Sequence, residues 1–364
     1  MKKYQRLAQQ IISQIELGVW LPGDKLPSLR EQVASSGMSF MTVGHAYQML
    51  ESQGRIVARP QSGYYVASRP TAHQPAPPAQ VMRDEVVDIN TYIFDVLQAS
   101  RDPSVVPFAS AFPDPRLFPL QQLNRSLANV SKTATAMSVI ENLPPGNVDL
   151  RHAIARRYAQ QGMNISPEEI VITAGALEAL NLSLQAVTEP GDWVIVENPC
   201  FYGALQALER LKLKALSIAT DVREGIDLNA LEQALKEYPV KACWIMTNSQ
   251  NPLGFTLSAE KKAQLVALLT QHNVPLIEDD VYSELYFGRE KPLPAKAWDK
   301  QDMTLHCSSF SKCLVAGFRI GWVAAGKHAR RIQQLQLMST LSTSSPMQLA
   351  LGDYLATKRY DAHL

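Results

Sequence analysis

Apolar residues near the start of the chain recur at helical spacing, and Gly and Pro residues interrupt them. A first helix ending at Gly18 would carry four of these side chains on one face: Leu7, Ile11, Ile12 and Ile15. After a loop that contains Pro22, Ser28 and Glu31 have the spacing of a capping box, which predicts a second short helix up to Gly37. Two helices joined by a turn are therefore expected.

A third helix and a hairpin complete this N-terminal pattern. The helix is predicted to begin near Ser39 and to stop at Gly54, with four side chains directed inward: Val43, Ala46, Tyr47 and Leu50. Two short β-rich runs, 56–59 and 64–66, flank a turn at 60–63. Three helices followed by a hairpin predict a small winged helix-turn-helix domain.

Beyond residue 90, short apolar strands alternate with helical stretches. The predicted strands are 169–173, 193–197, 242–246, 274–278 and 305–308. The predicted helices include 177–187, 228–237 and 258–272. This alternation predicts an α/β/α fold, in which helices cover both faces of a largely parallel sheet. Ligands of such sheets gather at the carboxyl ends of the strands.

A proline-rich stretch separates the two patterns. Residues 71–80 read Thr-Ala-His-Gln-Pro-Ala-Pro-Pro-Ala-Gln, and proline removes backbone donors and stiffens the chain. We therefore expect three parts, which are a winged helix at 1–68, a linker at 69–89 and a second domain at 90–364.

Composition excludes several classes of protein. The chain has 364 residues, 46% of them hydrophobic, and its net charge of +1 gives no overall attraction to nucleic acid or membrane. Residues 1–69 are nevertheless basic, with eight Lys and Arg against four Asp and Glu. The four cysteines lack the spacing of a zinc site and the density of a disulfide scaffold. No apolar run reaches the ~20 residues of a membrane span. We expect a cytoplasmic protein without a bound metal.

Polar residues with related chemistry follow the predicted strands. In strand order they are Gly175 with Ala176, Asn251, Asp279 with Tyr282, and Ser309 with Ser311 and Lys312. Together with the nearby Arg319 they supply an amine, a carboxylate, hydroxyls and a guanidinium. A cofactor with an aldehyde, a phosphate and a pyridine ring requires these groups. Since the carboxyl ends of parallel strands share one edge, we expect a single site there.

Two other motifs in this region match known functional motifs only in part. Ser309-x-x-Lys312 matches the nucleophile motif of penicillin-binding proteins, but the Ser-Asp-Asn and Lys-Thr-Gly partners of that chemistry are absent. The segment 321–327 has P-loop spacing, but His328 stands where a Ser or Thr would bind magnesium. A strand and a turn are therefore predicted there.

The N-terminal motifs resemble the DNA-binding domain of GntR regulators over nearly all of residues 1–68. The matching residues are Gly18, Pro22-Gly23-Asp24-Lys25-Leu26-Pro27-Ser28, Arg30, Thr42-Val43, Ala46-Tyr47, Leu50, Gly54 and Ser62-Gly63-Tyr64. The resemblance implies that double-stranded DNA contacts Arg30, Ser39, Phe40, Thr42, Arg59, Ser62 and Gly63. Many relatives carry arginine in the recognition helix where Phe40 stands, and a Phe side chain suits a thymine methyl group. On charge and helix pattern alone, a protein-docking module is the alternative.

From about residue 110 onward the chain resembles the fold-type I pyridoxal 5'-phosphate (PLP) enzymes of the aspartate aminotransferase group. By that resemblance Lys312 forms the internal aldimine and Asp279 pairs with the pyridine nitrogen. Tyr282 and Asn251 hydrogen-bond the phenolic oxygen of the ring. The implied phosphate cup consists of Gly175, Ala176, Ser309, Ser311 and Arg319. The catalytic residues implied by the family pattern are Lys312, Asp279 and Tyr282.

Two assignments in this site have competitors. Phe201 is the implied ring that stacks on the pyridine, and Tyr202 is the second choice. Asp280 is the competing carboxylate, but Asp279 has the Asp-x-x-Tyr spacing of the family, and neighbouring residues of a strand point in opposite directions. An ionised Asp279 would keep the ring nitrogen protonated, which makes the cofactor an electron sink.

A winged helix joined through a proline-rich linker to an aminotransferase-like domain is the layout of the MocR subfamily of GntR regulators. The resemblance implies a homodimeric transcription factor whose PLP domain senses an amine, an amino acid or PLP itself through Lys312. The alternatives are an active aminotransferase with an attached DNA-binding domain, and a dimerising module that binds no cofactor. We also expect the family's C-terminal small domain to be absent from this chain.

Overall fold

A computed structural model describes residues 2–60, 62–67, 89–102, 104, 106, 111–135, 143–357 and 359–364. The chain divides into two compact units, 1–76 and 77–364. The predicted linker, 69–89, lies outside the described residues except at its last position. The three domain boundaries therefore stay predictions.

The small unit consists of three helices and a hairpin. Its elements are α1 (Lys3–Glu16), α2 (Leu29–Ser36), α3 (Phe40–Ser52), β1 (Ile56–Arg59) and β2 (Gly63–Val66). The two strands pair antiparallel, with Ile56 opposite Val66 and Arg59 opposite Gly63. The predicted winged helix-turn-helix is confirmed.

Local signals and packing agree in this unit. The Ser28 hydroxyl accepts from the Glu31 N–H at 3.3 Å, and the Glu31 carboxylate accepts from the Ser28 N–H at 2.7 Å, which closes the predicted capping box at the start of α2. Tyr47 on α3 is fully buried and donates its hydroxyl proton to the Pro27 carbonyl at 2.8 Å. The buried core of the unit comprises Leu7, Ala8, Ile11, Ile12, Leu26, Val43, Ala46, Tyr47, Leu50, Ile56 and Val66.

One eight-stranded sheet, counted over the residues that the structure describes, organises the large unit. Its strands are β3 (Ile170–Thr173), β4 (Trp193–Asn198), β5 (Lys214–Asp221), β6 (Gly225–Ile226), β7 (Val240–Ile245), β8 (Leu276–Asp279), β9 (Thr304–Ser309) and β10 (Gly321–Ala324). Their order across the sheet is β3-β10-β9-β8-β7-β4-β5-β6. Only β10 and β6 run against the other strands. The predicted, largely parallel sheet is confirmed.

Helices cover both faces of this sheet. In the described part of the large unit the helices are α4 (Asn90–Ala99), α5 (Leu120–Thr133), α6 (Val148–Gln160), α7 (Ala176–Val187), α8 (Tyr202–Arg210), α9 (Leu228–Glu237), α10 (Ala259–Gln271), α11 (Ala329–Ser339), α12 (Ser345–Leu355) and α13 (Arg359–His363). On β4, Val194 and Val196 pack in one cluster with α7 and α8, whereas Ile195 packs in another with α9 and α10. Side chains of a strand alternate between faces, so this split shows that both faces are buried.

Two details of the sheet bear on the predictions. The segment 321–327 forms β10 followed by a short 3-10 turn, Gly326–His328, so the predicted strand and turn are confirmed. The strand β5 was not predicted, because buried and more exposed side chains alternate along it and no continuous apolar run marks it.

Two further features concern membrane spans and cysteines. In the described ranges no helix has the length and apolar character needed to cross a lipid bilayer. All four cysteines are free thiols.

Candidate functional site

The carboxyl end of β3 leads into a narrow cup at the start of α7. Gly175 caps this helix with φ +90°, a backbone conformation that residues with a side chain rarely adopt. A Cβ built on Gly175 would lie 2.5 Å from Arg319 Nη2, so the guanidinium lies directly against the glycine. The first N–H groups of a helix lack partners inside the helix and, with the helix dipole, favour an anion. The structure thus brings Gly175, Ala176 and Arg319 together.

Two predicted serines lie beside the same guanidinium. Arg319 Nη1 donates to Ser311 Oγ at 3.3 Å, and Nη2 donates to the Ala174 carbonyl at 3.3 Å. The Ser311 N–H donates to Ser309 Oγ at 3.4 Å, and both serines are buried. A guanidinium and two hydroxyls at a helix N-terminus have the chemistry of a phosphate site.

Asp279 is the last residue of β8, and its carboxylate is buried. Its Oδ1 has no hydrogen-bond partner among the described residues. Burial and, next, the neighbouring Asp280 raise the pKa of Asp279 to about 7, against the opposing effect of the Lys312 ammonium. A buried carboxylate oxygen without a donor is costly, and such a group in a native fold is typical of a site that receives a ligand.

The Lys312 amine lies in a partly buried position close to this acid. Burial lowers the pKa of Lys312; the Asp279 carboxylate opposes that change and the Arg319 guanidinium adds to it. Its Nζ donates to the Ala111 carbonyl at 3.1 Å and lies 3.7 Å from the centre of the Phe112 ring. Nothing in the sequence pattern predicted this contact with residues 111 and 112.

Tyr282 and Asn251 meet next to the amine. Asn251 Nδ2 donates to Tyr282 Oη at 3.5 Å, and the Tyr282 ring centre lies 5.7 Å from Lys312 Nζ. Burial raises the pKa of Tyr282, with a further contribution from Asp279. Lys312, Asp279, Tyr282 and Asn251 lie at or just after the ends of three different strands, β7, β8 and β9, and therefore share one end of the sheet.

Phe201 and Tyr202 follow β4 on the same edge. Their ring centres are 4.7 Å apart with planes inclined by 50°, and Phe201 packs so tightly over Gly203 that an added Cβ would lie 2.3 Å from it. In the described part of the chain, the aromatic rings within cation–π distance of Lys312 belong to Phe112 and Tyr282. The stacking role of Phe201, with Tyr202 as the second choice, remains a prediction.

Asp280 occupies a different environment from Asp279. Its Oδ2 lies 2.9 Å from His306 Nε2, and its Oδ1 accepts from Asn248 Nδ2 at 3.1 Å. Burial alone would raise the pKa of Asp280, but the hydrogen bonds from His306 and Asn248 outweigh it and the pKa is lowered. Asp280 already has partners on both oxygens, whereas Asp279 is the acid beside Lys312.

One further acid near the site was not predicted from the sequence. Glu197 on β4 is buried, its Oε2 accepts from the Met246 N–H at 3.0 Å, and its Oε1 has no partner within the described structure. Burial raises the pKa of Glu197 to about 8, and the Asp279 charge adds to this. A charged residue inside the apolar run 193–197 was the signal that could have revealed it.

The residues predicted to contact DNA lie on the surface of the small unit. Arg30, Ser39, Phe40, Arg59 and Ser62 are exposed, and Thr42 and Gly63 are half-buried. Ser39 caps α3 by accepting from the Thr42 N–H at 3.3 Å. At the hairpin tip, the Arg59 guanidinium lies 4.2 Å from the Tyr65 ring centre, and Ser62 Oγ is 2.6 Å from Tyr65 Oη.

Comparisons with known proteins identify the family. Residues 3–66 match bacterial regulatory proteins of the gntR family, and residues 119–361 match aminotransferase class I and II. The chain is 83% identical to the HTH-type transcriptional regulator YdcR of Escherichia coli strain K12 over 364 residues, which are 100% of this chain and 78% of that protein. The chain belongs to the MocR-like GntR regulators.

Further similarities of this MocR-like chain follow the same division. It is 35% identical to the HTH-type regulator YjiR of Escherichia coli strain K12 over 366 residues, with 100% of this chain and 78% of that protein covered. The crystal structure of Pyrococcus horikoshii kynurenine aminotransferase, in complex with PMP, matches 75% of this chain and 69% of its own with a TM-score of 0.69 and 26% identity. The predicted aminotransferase fold and the predicted regulator are both supported, and the regulator is favoured over the enzyme.

Proposed function

We propose that the large unit holds PLP and that the protein regulates transcription in response to an amine or amino acid. The proposal is carried by the Lys312 amine near the buried Asp279 carboxylate, whose Oδ1 has no partner among the described residues, at the carboxyl edge of the sheet. Class I and II aminotransferases use PLP, and this chain matches their profile over residues 119–361.

The residues present fit the cofactor. A protonated pyridine nitrogen is the donor that the lone Asp279 oxygen lacks. The cup formed by Gly175 and Arg319 offers N–H groups and a guanidinium to a phosphate. When bound, PLP supplies an aldehyde that condenses with amines and a ring that withdraws electrons.

Each side chain has a defined task in this proposal. Lys312 attaches the cofactor through Nζ, and its lowered pKa increases the fraction of neutral, nucleophilic amine. Asp279, once ionised, holds a proton at the ring nitrogen. Tyr282 and Asn251 hydrogen-bond the ring oxygen, and Phe201 stacks on the ring. The phosphate is held by Gly175, Ala176, Ser309, Ser311 and Arg319.

The small unit is assigned to operator DNA. GntR domains bind double-stranded DNA, and α3 presents the exposed Phe40 at its first turn while the hairpin presents Arg59 and Ser62. A homodimer would offer two α3 helices to two half-sites. An amine that took the place of Lys312 on the cofactor aldehyde, and so released the Lys312 amine, would change the contacts of the large unit and shift the affinity for DNA.

Lys312→Ala tests the sensing role, with the exposed Lys300→Ala as the matched control. After incubation with PLP and borohydride reduction, mass spectrometry should find the cofactor on Lys312 in the wild type and in the control. The Lys312 variant should carry none, should bind a duplex selected from a random-sequence pool with wild-type affinity, and should lose the response to amines. An unlabelled wild type, or an unchanged response in the variant, would refute the proposal.

Aminotransferase activity is the second candidate. It is favoured by the co-location of Lys312, Asp279 and Tyr282 and by the structural match to kynurenine aminotransferase. Multiple turnover of an amino donor with a keto-acid acceptor would support it. A single, slow half-reaction would not, because a correctly assembled site can transfer one amino group without being an efficient enzyme.

A further inference from the structure

A continuous chain of hydrogen bonds runs through the core behind Asp279. Its members, in order, are Trp322, Tyr158, His306, Asp280, Asn248 and Lys262. Successive polar atoms are between 2.6 and 3.1 Å apart, and all members except Trp322 are buried. A buried polar group costs free energy unless it has a hydrogen-bond partner, so the side-chain positions in a network of this length are tightly constrained.

The donors in this chain fix the proton positions. Trp322 Nε1 can only donate, so Tyr158 Oη accepts from it and offers its own proton to His306 Nδ1. His306 then donates from Nε2 to Asp280 Oδ2. On the other side, Asn248 accepts from Lys262 Nζ with its oxygen and donates to Asp280 Oδ1 with its nitrogen. Asp280 thus receives one donor on each oxygen, which is the environment of an ionised carboxylate.

The backbone of Asp280 is tied to β9 as firmly as its side chain. Its N–H donates to the Cys307 carbonyl at 2.9 Å, and its own carbonyl accepts from Ser308 Oγ at 2.8 Å. Asp279 precedes it at the end of β8, where successive side chains point to opposite faces. Any movement of Asp280 would therefore move the carboxylate of Asp279.

We propose that Asp280 and His306 are positioning residues of the cofactor site: they fix the backbone next to Asp279, place a negative charge behind it, and so set its readiness to ionise. This inference rests on the proposed binding of PLP. It differs from a purely structural role, because a structural role would change stability without changing the pH at which the cofactor binds.

Several other ionisable groups face the two acids. Around Asp279 they are Glu197, Glu278, Tyr282, Cys307 and Lys312. Around Asp280 they are Tyr158, Lys262, Lys291 and His306. In Asp280→Asn all of these groups remain, so the comparison with the wild type reports the loss of the Asp280 charge together with one of its two accepted hydrogen bonds.

The first experiment measures the dissociation constant of PLP as a function of pH. Asp280→Asn keeps the shape of the side chain, removes its charge and replaces one accepting oxygen by an amide nitrogen. The exposed His152→Gln is the control. Removing a neighbouring negative charge favours ionised Asp279, so the midpoint of the affinity profile should move to lower pH by about half a unit or more. The control should keep the wild-type midpoint.

The second experiment compares two substitutions at His306. In His306→Gln the amide nitrogen can still donate to Asp280, whereas His306→Phe removes the donor. At a pH above the midpoint we expect His306→Phe to weaken PLP binding about tenfold and His306→Gln to restore most of the affinity. Thermal unfolding of every variant establishes that folded protein is compared.

The outcomes separate this inference from the proposed function. If the wild type binds no PLP, both fail. If it binds PLP but folded Asp280→Asn keeps the wild-type midpoint, only the positioning role is overturned. Should Asp280→Asn not fold, equal PLP affinities of the two His306 variants would overturn it.

Discussion

Asp279 and Asp280 are adjacent in the chain, yet their pKa values are displaced in opposite directions. Both are buried, so desolvation acts on each in the same sense. Asp280 has hydrogen-bond donors on both oxygens, whereas Asp279 Oδ1 has none. The number of hydrogen-bond donors, and not burial, therefore distinguishes the pKa shifts of the two acids. Of the two, only Asp279 keeps an oxygen that can still pair with a ligand.

Gly175 offers a residue-level test of the phosphate cup. In Gly175→Ala the new Cβ would lie 2.5 Å from Arg319 Nη2, so the guanidinium would have to move. We expect PLP affinity to fall at least about tenfold, together with a loss of about 1 kcal/mol or more in the free energy of unfolding from backbone strain. Titration with PLP and urea denaturation measure the two effects.

Gly162→Ala is the matched control for that substitution. Gly162 has φ +77°, but a Cβ there would meet nothing within 4 Å. It should share the cost in stability and leave PLP affinity unchanged. Equal affinities of the two variants would mean that the cup is not a phosphate site.

Glu197 should make stability depend on pH. Its folded pKa is raised to about 8 by burial, so the folded state binds the proton more tightly than the unfolded chain. The resulting stabilisation is fully present below about pH 4.5 and is lost as the pH rises to 8, and each pKa unit corresponds to about 1.4 kcal/mol. The stability of Glu197→Gln relative to the wild type should therefore increase by at least about 1 kcal/mol between pH 5 and pH 9. Urea denaturation measures the free energy of unfolding of both proteins at each pH. The same difference between variant and wild type at both pH values would contradict the prediction.

At the scale of elements, the strand ends assemble the site, and this much was predictable. The strands β3, β4, β7, β8 and β9 are buried along most of their length, and each contains a short apolar stretch that the sequence reveals. The chemistry-bearing residues lie at or just after their carboxyl ends. Since parallel strands end at one edge, sequence alone indicated that Asp279, Lys312 and Gly175 would be neighbours.

Other features could not be predicted because no local pattern encodes them. The hydrogen bond between Lys312 and Ala111 joins residues 201 positions apart in sequence. The position of His306 between Tyr158 and Asp280 depends on which elements pack together, and periodicity does not report this. These long-range polar contacts could therefore be identified only from the folded structure.

The hairpin of the small unit can be tested as an element. Arg59 ends β1 at the exposed tip and lies over Tyr65, so its charge is held in place. Arg59→Ala should weaken binding to the selected duplex and reduce the slope of log K against log salt by about one, as expected for one lost phosphate contact. Arg6→Ala, on the exposed side of α1, removes the same charge elsewhere and should leave the slope unchanged. Identical slopes for both variants would argue against the hairpin contact.

At the scale of the whole molecule, the two units belong to different families and have separate cores. A regulator that senses an amine must therefore link chemistry in one unit to binding in the other. Such a link is a coupling free energy, and equilibrium coupling acts equally in both directions.

Reciprocity gives a test of this link without knowledge of the regulated genes. A screen of the common amino acids by cofactor absorbance identifies the amine that reacts most strongly with the PLP-loaded protein. If this amine changes the affinity for the selected duplex by some factor, saturating duplex must change the apparent affinity for the amine by the same factor. We expect about 5- to 150-fold in the wild type and in Lys300→Ala. A change in DNA affinity without the reciprocal change at the cofactor would place the effector elsewhere, because two ligands that share one conformational equilibrium cannot be coupled in one direction only.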